Sequence, residues 1–384
     1  GGALGSRSLV NDTLSVRLCP SGAAWSWNSD SSGTHGRCSF AASSTASLPT
    51  LSESVFAAGE LVKAGRAVGP RIYSTGTILY GASGSYRAEV NSLADARGHV
   101  ARQQAMGAVT VKSYNQPRRN QRQQVVKAAR ALKMMVMPEG GALFQHNMSM
   151  VVDGHTGIEH AIPIANAYDD VIQLWARSGV GYTPTFNVAY GGLSGENYWY
   201  QERPIYAHKR LLRFVPRRWL DARARRPHKA PLHEWNHFAV ARFAKRFVDA
   251  GGRVQVGGHG QREGLGAHWE IWAMVQGGFT TMQALRAATL DGARYVGLDA
   301  DLGRIEKGKL ADIILIAGDP LADIRMTEKV RYTVANGVVF EAATMAQILP
   351  KKVPAPRFFF TGGGRGGAVN VDYGRQFQCP VCQH

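Results

Sequence analysis

Four side chains of types that bind metal ions or move protons each follow a short apolar run. They are Lys112 in VKSY, Glu139 in VMPEGG, His160 in GIEHA and His259 in VGGHG. In parallel (β/α)8 barrels, the reacting groups lie at the carboxyl ends of the strands. If these runs are barrel strands, a lysine, a carboxylate and two imidazoles meet at one mouth. Such a set predicts a site for a divalent metal ion.

Lys112 requires an explanation of its own, because an ammonium buried in an apolar run is costly unless it is paired or chemically changed. Carbamate formation on its amine would turn the cation into a carboxylate able to bridge two metal ions. The alternative is an ion pair with Glu139 or Glu159. The sequence leaves both possibilities open.

Other polar residues near these runs are candidates for substrate contacts or for supporting the site. His155 and His146 lie on the approach to the His160 strand, His268 lies near the start of the helix GAHWEIW, and Tyr114 follows Lys112 by two positions. For His268 the alternative is a place in the helix-capping neighbourhood. His160 taken by itself could equally be a core histidine with satisfied hydrogen bonds.

From about residue 51 onward, short apolar runs alternate with amphipathic stretches, which predicts parallel βαβ units. We expect strands at Arg71–Gly76, Ala108–Tyr114, Met134–Gly140, Gly157–Ala161, Gly181–Phe186 and Arg253–Gly260. We expect helices at Leu51–Ala64, Ser92–Ala105, Arg119–Leu132, Ala165–Ser178 and His233–Ala250. Five or six strands are fewer than the eight of a closed barrel. The predicted fold is therefore an α/β, TIM-like (β/α)8 barrel over residues 51–290, incomplete at its N-terminal strands.

The regions on either side of the barrel differ in character. Residues 291–345 hold two strands, in ADIILIAGDPL and VRYTVANGVVFE, and predict a small β-sandwich subdomain, while residues 346–384 predict a Gly-rich tail. Residues 1–50 are rich in Ser and Gly without periodicity, so we expect no folded element there. The sandwich would then lack strands from ahead of the barrel, and low stability is expected.

Composition limits the remaining function classes. With 45% hydrophobic and 19% charged residues the chain has a globular composition, and it contains neither a membrane-length apolar run nor a visible signal-peptide core. The net charge is +17, and the densest basic segment runs from Lys209 to Lys229. This segment is either a solvated face or a polyanion site, but no nucleic-acid-reading motif accompanies it. The CPVCQH tail has the spacing of half a zinc site, or is a flexible end.

Several longer motifs resemble the amidohydrolase superfamily. They are GPRIYSTG, GAVTVKSYNQPRRNQRQQ, MPEGGALFQHNMSMVVDGHTGIEHAI, VGGHGQREGLGAHWEIWAMVQGG, and the closing signature with ALRAAT and GRIEKGKLADIILIAGDPL. The chain is most similar to imidazolonepropionase-like and Xaa-Pro-dipeptidase-like members that carry a TolB-like β-propeller ahead of the barrel. The resemblance implies one or two divalent ions, with Zn²⁺ expected, and hydrolysis of an amide, cyclic amide or dipeptide by metal-activated water.

The resemblance also implies roles for individual residues. Lys112 matches the strand-four lysine that is often carboxylated, and His160 matches the strand-six metal-binding histidine. Glu139 stands where strand five usually has a histidine. His259 stands where strand eight usually has an aspartate, and an imidazole there could bind metal or move a proton.

One part of the family pattern is missing, because the only histidine before residue 99 is His35 and no His-x-His pair ends a first strand. We expect residues 1–50 to be a divergent replacement of the barrel's opening or out-of-frame translation. Two alternatives to an active hydrolase follow. The first is a catalytically impaired relative, and the second is a basic polyanion-binding protein.

Overall fold

The computed structural model describes residues 52–355 except 84–86, 115, 117, 165 and 261, with side chains from residue 55 onward. It also gives the backbone of three strands nearer the N-terminus. In chain order the strands are β1 (Leu14–Leu18), β2 (Trp25–Ser29), β3 (Gly36–Phe40), β4 (Ile78–Tyr80), β5 (Arg87–Glu89), β6 (Thr110–Ser113), β7 (Met135–Pro138), β8 (Gly157–Glu159), β9 (Gly181–Thr183), β10 (Ile313–Ala317), β11 (Val330–Ala335), β12 (Val338–Glu341) and β13 (Gln347–Leu349).

The helices surround and connect the parallel strands. They are α1 (Ser52–Lys63), α2 (Leu93–Ala105), α3 (Arg119–Ala131), α4 (Phe144–Asp153), α5 (Asp169–Ser178), α6 (Gly195–Glu202), α7 (Lys209–Phe214), α8 (Arg217–Ala224), α9 (His237–Asp249), α10 (Leu265–Gln276), α11 (Thr281–Ala287) and α12 (Leu290–Tyr295). Of the described helices, none combines the length and apolarity that a bilayer span requires.

The parallel strands follow one another in the order β5-β4-β6-β7, and β8 pairs with β9. Single bridges, Glu139 to Glu159 and Tyr182 to Val254, continue the pairing from β7 to β8 and from β9 to the next strand position. Within the described residues this makes seven parallel positions, and pairing that would close them into a complete barrel is not among them. The predicted α/β class is therefore confirmed, and the barrel is seen in part.

The expected strand Arg71–Gly76 is wrong, since the regular strand there is β4, a few residues later. Arg71 instead forms an ion pair with Asp312, with 2.8 Å between Arg71 Nε and Asp312 Oδ2. Gly76 adopts a left-handed backbone with φ 68°, which a strand cannot continue through. A side-chain anchor and a turn thus occupy a segment whose apolar residues suggested a strand.

Helices α5 and α9 pack against the inner strands through large apolar side chains. Trp175 of α5 is fully buried, and its ring centroid lies 4.7 Å from that of Tyr182 in β9 and 5.0 Å from that of Phe247 in α9. Aromatic groups of this size each bury a large area, so this layer contributes much of the free energy of folding. It fixes β8, β9 and the next strand relative to the helices outside them.

The C-terminal sheet is antiparallel, with the order β1-β10-β11-β12-β13. Its central hairpin turns at Asn336 and Gly337, both with positive φ, as a two-residue type I′ turn requires. The expectation of no folded element in residues 1–50 is wrong, because β1 pairs along the full length of β10 and β2 pairs with β3. The expected tail also begins too early, since β13 belongs to this sheet. Main-chain hydrogen bonds at a sheet edge need no side-chain periodicity, so these strands could not be predicted from a periodic pattern.

Residues from about 187 to 231 form a helical insertion after β9, made of α6, α7 and α8. Its inner side is aromatic: Trp199 is buried against Trp269 and Trp272 of α10, and Tyr198 is buried against Trp199 and Trp235. The CPVCQH motif of the sequence analysis lies outside the described residues. The insertion covers the barrel beside the end of β9.

Candidate active site

The structure brings the four predicted strand-end residues, Lys112, Glu139, His160 and His259, into one neighbourhood, and we call them the strand-end cluster. Lys112 points from β6 and is 2% exposed, and Glu139 follows directly after the neighbouring strand β7. Lys112 Nζ lies 2.9 Å from Glu139 Oε2. The ion pair with Glu139 that the sequence allowed is therefore present, and carbamate formation on Lys112 stays a prediction.

The other acidic candidate, Glu159, sits on the adjacent strand β8 and is bonded differently. Its carboxylate accepts hydrogen bonds from the Thr183 hydroxyl, at 3.1 Å, and from the Tyr295 hydroxyl. These contacts tie β8 to β9 and α12. Glu159 therefore has a structural role, because it links strands and a helix next to the cluster.

The charge on Glu139 is set by its neighbours. Burial would raise the pKa of this carboxyl, but the ammonium of Lys112 and the nearby His160 and His259 rings outweigh burial, and the pKa is lowered. Glu139 is therefore a carboxylate at neutral pH. An ionised carboxylate can accept a proton or hold a cation, which a protonated acid cannot do.

The two imidazoles lie edge to face, with ring centroids 4.9 Å apart and an angle of 66° between ring planes. Both residues have left-handed backbones, with φ 71° at His160 and φ 53° at His259. Such a conformation costs a non-glycine residue about 1 kcal/mol or more and is concentrated at functional sites. Gly260 next to His259 also has positive φ, so the chain turns sharply just where its imidazole enters the cluster.

His160 is held on two sides. Its Nδ1 is 2.8 Å from the Thr185 hydroxyl oxygen, and its ring stacks on Tyr190 with centroids 5.4 Å apart. Burial lowers the pKa of His160 to about 4, with Glu139 opposing and Lys112 reinforcing that effect. The ring is therefore neutral at pH 7, and its Nδ1 is engaged by Thr185.

On the other side of Lys112 lies an aromatic and cationic group that includes the predicted Tyr114. Lys112 Nζ is 5.4 Å from the Tyr114 ring centroid, and the guanidinium of Arg87 stands 4.7 Å from the same ring. Arg87 also covers Tyr80 at 4.5 Å. Cations over these ring faces are attracted to them and place positive charge at the edge of the cluster.

The three weaker histidine candidates are joined to other parts of the fold. His155 is buried, and its Nδ1 donates to the Met150 carbonyl at 3.0 Å. Burial lowers the pKa of His146, to which nearby Arg122 adds. His268 lies on α10 near Glu328, and burial lowers its pKa to about 4. The contacts given above do not join these three histidines to the strand-end cluster, so their roles in substrate binding stay predictions.

Three residues of the site were not found from the sequence: Thr185, Tyr190 and Arg87. Thr185 lies two positions after the end of β9, so the strand-end rule that singled out Lys112 and His160 would have found it. Tyr190 lies in a loop and Arg87 is the first residue of β5, and no spacing pattern in the sequence predicts that either residue lies at the site.

The fit of a divalent ion to these residues is partial. Two imidazole rings with centroids 4.9 Å apart suit ligands of one ion, given Zn–N bonds of about 2 Å. A hydrogen bond to the second ring nitrogen, as from Thr185, is the usual way a ligand histidine is oriented. Among the described residues, however, no three His, Cys, Asp or Glu side chains gather about one point, and Lys112 holds Glu139. The imidazole pair therefore fits an ion, and Glu139 would join it only by exchanging its lysine partner.

Comparison with known proteins agrees with this architecture. The sequence profile of the Amidohydrolase family matches residues 265–340, from α10 into the antiparallel sheet. No curated protein sequence is significantly similar to the chain.

Solved structures share the fold at low sequence identity. A Xaa-Pro dipeptidase with methionine bound in its active site has a TM-score of 0.56 and 22% identity, covering 75% of this chain and 72% of that one. The A. niger ochratoxinase has a TM-score of 0.54 and 18% identity, covering 77% and 74%. Molinate hydrolase has a TM-score of 0.54 and 16% identity, covering 80% and 74%. At these identities the likeness shows the fold alone, which is that of amidohydrolases. The matching family segment on this fold supports an enzyme that acts on carbon–nitrogen bonds.

Proposed function

We propose that the chain hydrolyses a carbon–nitrogen bond in an amide, a cyclic amide or a dipeptide, with the strand-end cluster as its active site. The observation that carries the proposal is the meeting of Lys112, Glu139, His160 and His259 at one end of consecutive parallel strands. In this fold that end is where chemistry takes place. The family segment at residues 265–340 gives the same reaction class.

We assign His259 two alternative roles: it transfers the proton when no ion is bound, and it binds the ion when one is present. Water attacks the carbonyl carbon, His259 takes a proton from that water, and the same proton is delivered to the nitrogen as the C–N bond breaks. Lys112 keeps Glu139 ionised beside the reacting atoms, and its ammonium stabilises negative charge that develops on the carbonyl oxygen.

His160 and His259, with Glu139 as a third donor, are the residues that would hold a divalent ion, and we expect Zn²⁺. When bound, such an ion lowers the pKa of a coordinated water and polarises the carbonyl. His160 supports this role because it is neutral at pH 7 and is oriented by Thr185.

A catalytically impaired relative is the second candidate, and one specific observation favours it. The Lys112–Glu139 ion pair occupies a carboxylate that a metal would need, and the sequence has no His-x-His pair to replace it. Loss of ligands weakens a metal site more than loss of groups behind the ligands does.

The test is a hydrolysis screen of dipeptides, N-acyl amino acids and cyclic amides, read as released amine with Zn²⁺ added. We expect turnover by the unchanged chain, and a loss of at least about 100-fold in His160→Ala and His259→Ala. His99→Ala is the matched control, because His99 is a half-buried histidine of α2 whose Nε2 is hydrogen-bonded to the Glu89 carbonyl of β5. Equal activity in His160→Ala and His99→Ala would refute the assigned site. No turnover of any substrate by the unchanged chain would favour the impaired relative.

A further inference from the structure

A buried carboxyl group that the reaction does not use lies behind the cluster. Glu270 is on α10 and is fully buried. Its Oε2 accepts a hydrogen bond from the backbone N–H of Phe186 at 3.0 Å, and its Oε1 accepts one from the N–H of Asn187 at 2.7 Å. Both oxygens are thus committed to the first turn after β9.

Holding a carboxyl group there is costly. Burial raises the pKa of Glu270 to about 8, and the two backbone N–H groups of Asn187 and Phe186 act in the opposite direction. Within the described residues its contacts are these backbone groups, with no ion pair to offset its burial. A glutamine at this place could accept from only one N–H, since its NH₂ would face the other.

The turn that Glu270 holds is the turn that orients His160. Thr185 comes immediately before Phe186 and has a left-handed backbone, φ 49° and ψ 65°, which is unfavourable for a β-branched residue. Its hydroxyl is the group 2.8 Å from His160 Nδ1. The backbone of Thr185 is therefore fixed on one side by Glu270, while its side chain fixes an imidazole of the cluster on the other.

Further contacts limit this turn to one position. The Asn187 side chain donates to the Gly266 carbonyl of α10 at 2.9 Å, and Gly195 has room for no Cβ, which would lie 2.3 Å from the Phe186 carbonyl oxygen. On the opposite side, a Cβ on Gly257 would lie 2.7 Å from the Thr185 methyl group. Because the turn is packed tightly on both sides, a small displacement of Glu270 would be transmitted to Thr185.

We propose that Glu270 is a positioning residue for His160, acting through the backbone of Phe186 and Asn187 and the hydroxyl of Thr185. The effect on hydrolysis rests on the proposed function, whereas the effect on the ring of His160 does not. Groups that orient a ligand or catalytic histidine typically change activity by roughly 10- to 100-fold when removed. We expect Glu270→Gln to lower kcat by that factor and to change KM much less.

The experiment measures the ring ¹⁵N chemical shifts of His160 in the full chain labelled with ¹⁵N-histidine, with His160→Gln used to assign the signals. These shifts report which nitrogen carries the proton and which is hydrogen-bonded. Glu270→Gln and Thr185→Val are compared singly and together. We expect each single variant to move the His160 shifts and the double variant to move them no further, because both act along one path.

Asp312→Asn is the matched control. Asp312 is also a buried acidic residue that accepts a hydrogen bond from a backbone N–H, that of Asn336 at 2.6 Å, but it directly precedes β10 of the antiparallel sheet. We expect this variant to lower the melting temperature without moving the His160 shifts. If Glu270→Gln does not fold, Glu270→Asp takes its place, since it keeps the carboxyl group and withdraws it by one methylene.

A folded Glu270 variant with unchanged His160 shifts overturns the proposal, and so do effects of Glu270→Gln and Thr185→Val that simply add. Hydrolysis by the unchanged chain is measured in parallel. Absence of hydrolysis with shifted His160 signals would reject the proposed function and keep the positioning role.

Discussion

The strand-end cluster and the basic segment Lys209–Lys229 both carry positive charge, but the charges are buried in the first region and exposed in the second. Lys112 is buried, paired at 2.9 Å and surrounded by groups whose pKa values are shifted. The basic segment forms α7 and α8, where Lys209, Arg213, Arg218 and most of the other cations are exposed. The single acid on α8, Asp221, pairs with Arg217 at 3.0 Å on the surface.

The comparison teaches that the environment of a charge, and not the number of charges, marks where chemistry is concentrated. A buried ion pair is weak support for stability but is strongly destabilising when one partner is removed. Exposed charges contribute little and tolerate change. The net charge of +17 is therefore compatible with a solvated helical face, and a polyanion-binding role for this segment stays an open prediction.

The largest expected effect is on stability at Lys112. Lys112→Met removes the ammonium and leaves Glu139 as a largely buried charge without its lysine, which should cost roughly 3–5 kcal/mol of the free energy of unfolding. Lys209→Met, on the exposed start of α7, is the matched control and should change it by less than about 0.5 kcal/mol. Urea denaturation measures both. Similar values for the two variants would mean that the ion pair does not hold the site together.

A smaller effect should appear as a pH dependence at a buried histidine. His237 is fully buried beside Phe238 and Tyr198, and burial lowers its pKa to about 4 from an ordinary value of 6.5. The folded chain therefore resists a proton that the unfolded chain takes up, so this contribution to stability is present above pH 6.5 and is lost as the pH falls towards 4. One pKa unit corresponds to about 1.4 kcal/mol, so the loss can reach about 3 kcal/mol.

His237→Phe should flatten the fall in the free energy of unfolding between pH 6.5 and pH 4. His233→Phe should leave that slope unchanged, since His233 is exposed on the turn just before α9. Urea denaturation at several pH values measures the two slopes. The same slope in His237→Phe as in the unchanged chain would assign the acid sensitivity to other groups.

The smallest effect is expected in the basic segment. Replacing Arg213, Arg218, Arg225 and Arg226 by glutamine removes four exposed charges. We expect each change to alter the free energy of unfolding by less than about 0.5 kcal/mol and to leave hydrolysis within twofold of the unchanged chain. Retention on a heparin column at low salt is the companion measurement. A large loss of hydrolysis would place this segment in the active site and would contradict the distinction between the buried cluster and the exposed basic segment.

The sequence predicted the parts of the molecule in which one residue type signals one environment. The strand-end rule identified Lys112, Glu139, His160 and His259 because a polar group after an apolar run is conspicuous, and the structure places these residues together. The rule was not applied to Thr185, although it would have worked there. Glu270 could not be found in this way, because its role depends on two backbone N–H groups about 84 positions away in the chain.

The errors of prediction have a common physical cause. The misplaced strand at Arg71–Gly76 and the unforeseen β1 both depend on partners far along the chain, Asp312 and β10. Local periodicity reports which face of an element is buried, whereas long-range anchors and edge pairing leave no periodic trace. The N-terminal strand also supplies the sheet with a partner that we expected to be missing, so low stability is no longer required by that argument.

The central claim is that the two imidazoles of the strand-end cluster hold a divalent ion for hydrolysis. Metal content of the purified chain by elemental analysis tests it most directly, with His160→Ala and His99→Ala purified alongside. The account predicts about one zinc ion per chain, lost in His160→Ala and kept in His99→Ala. A metal content in the unchanged chain no higher than in His160→Ala would contradict it.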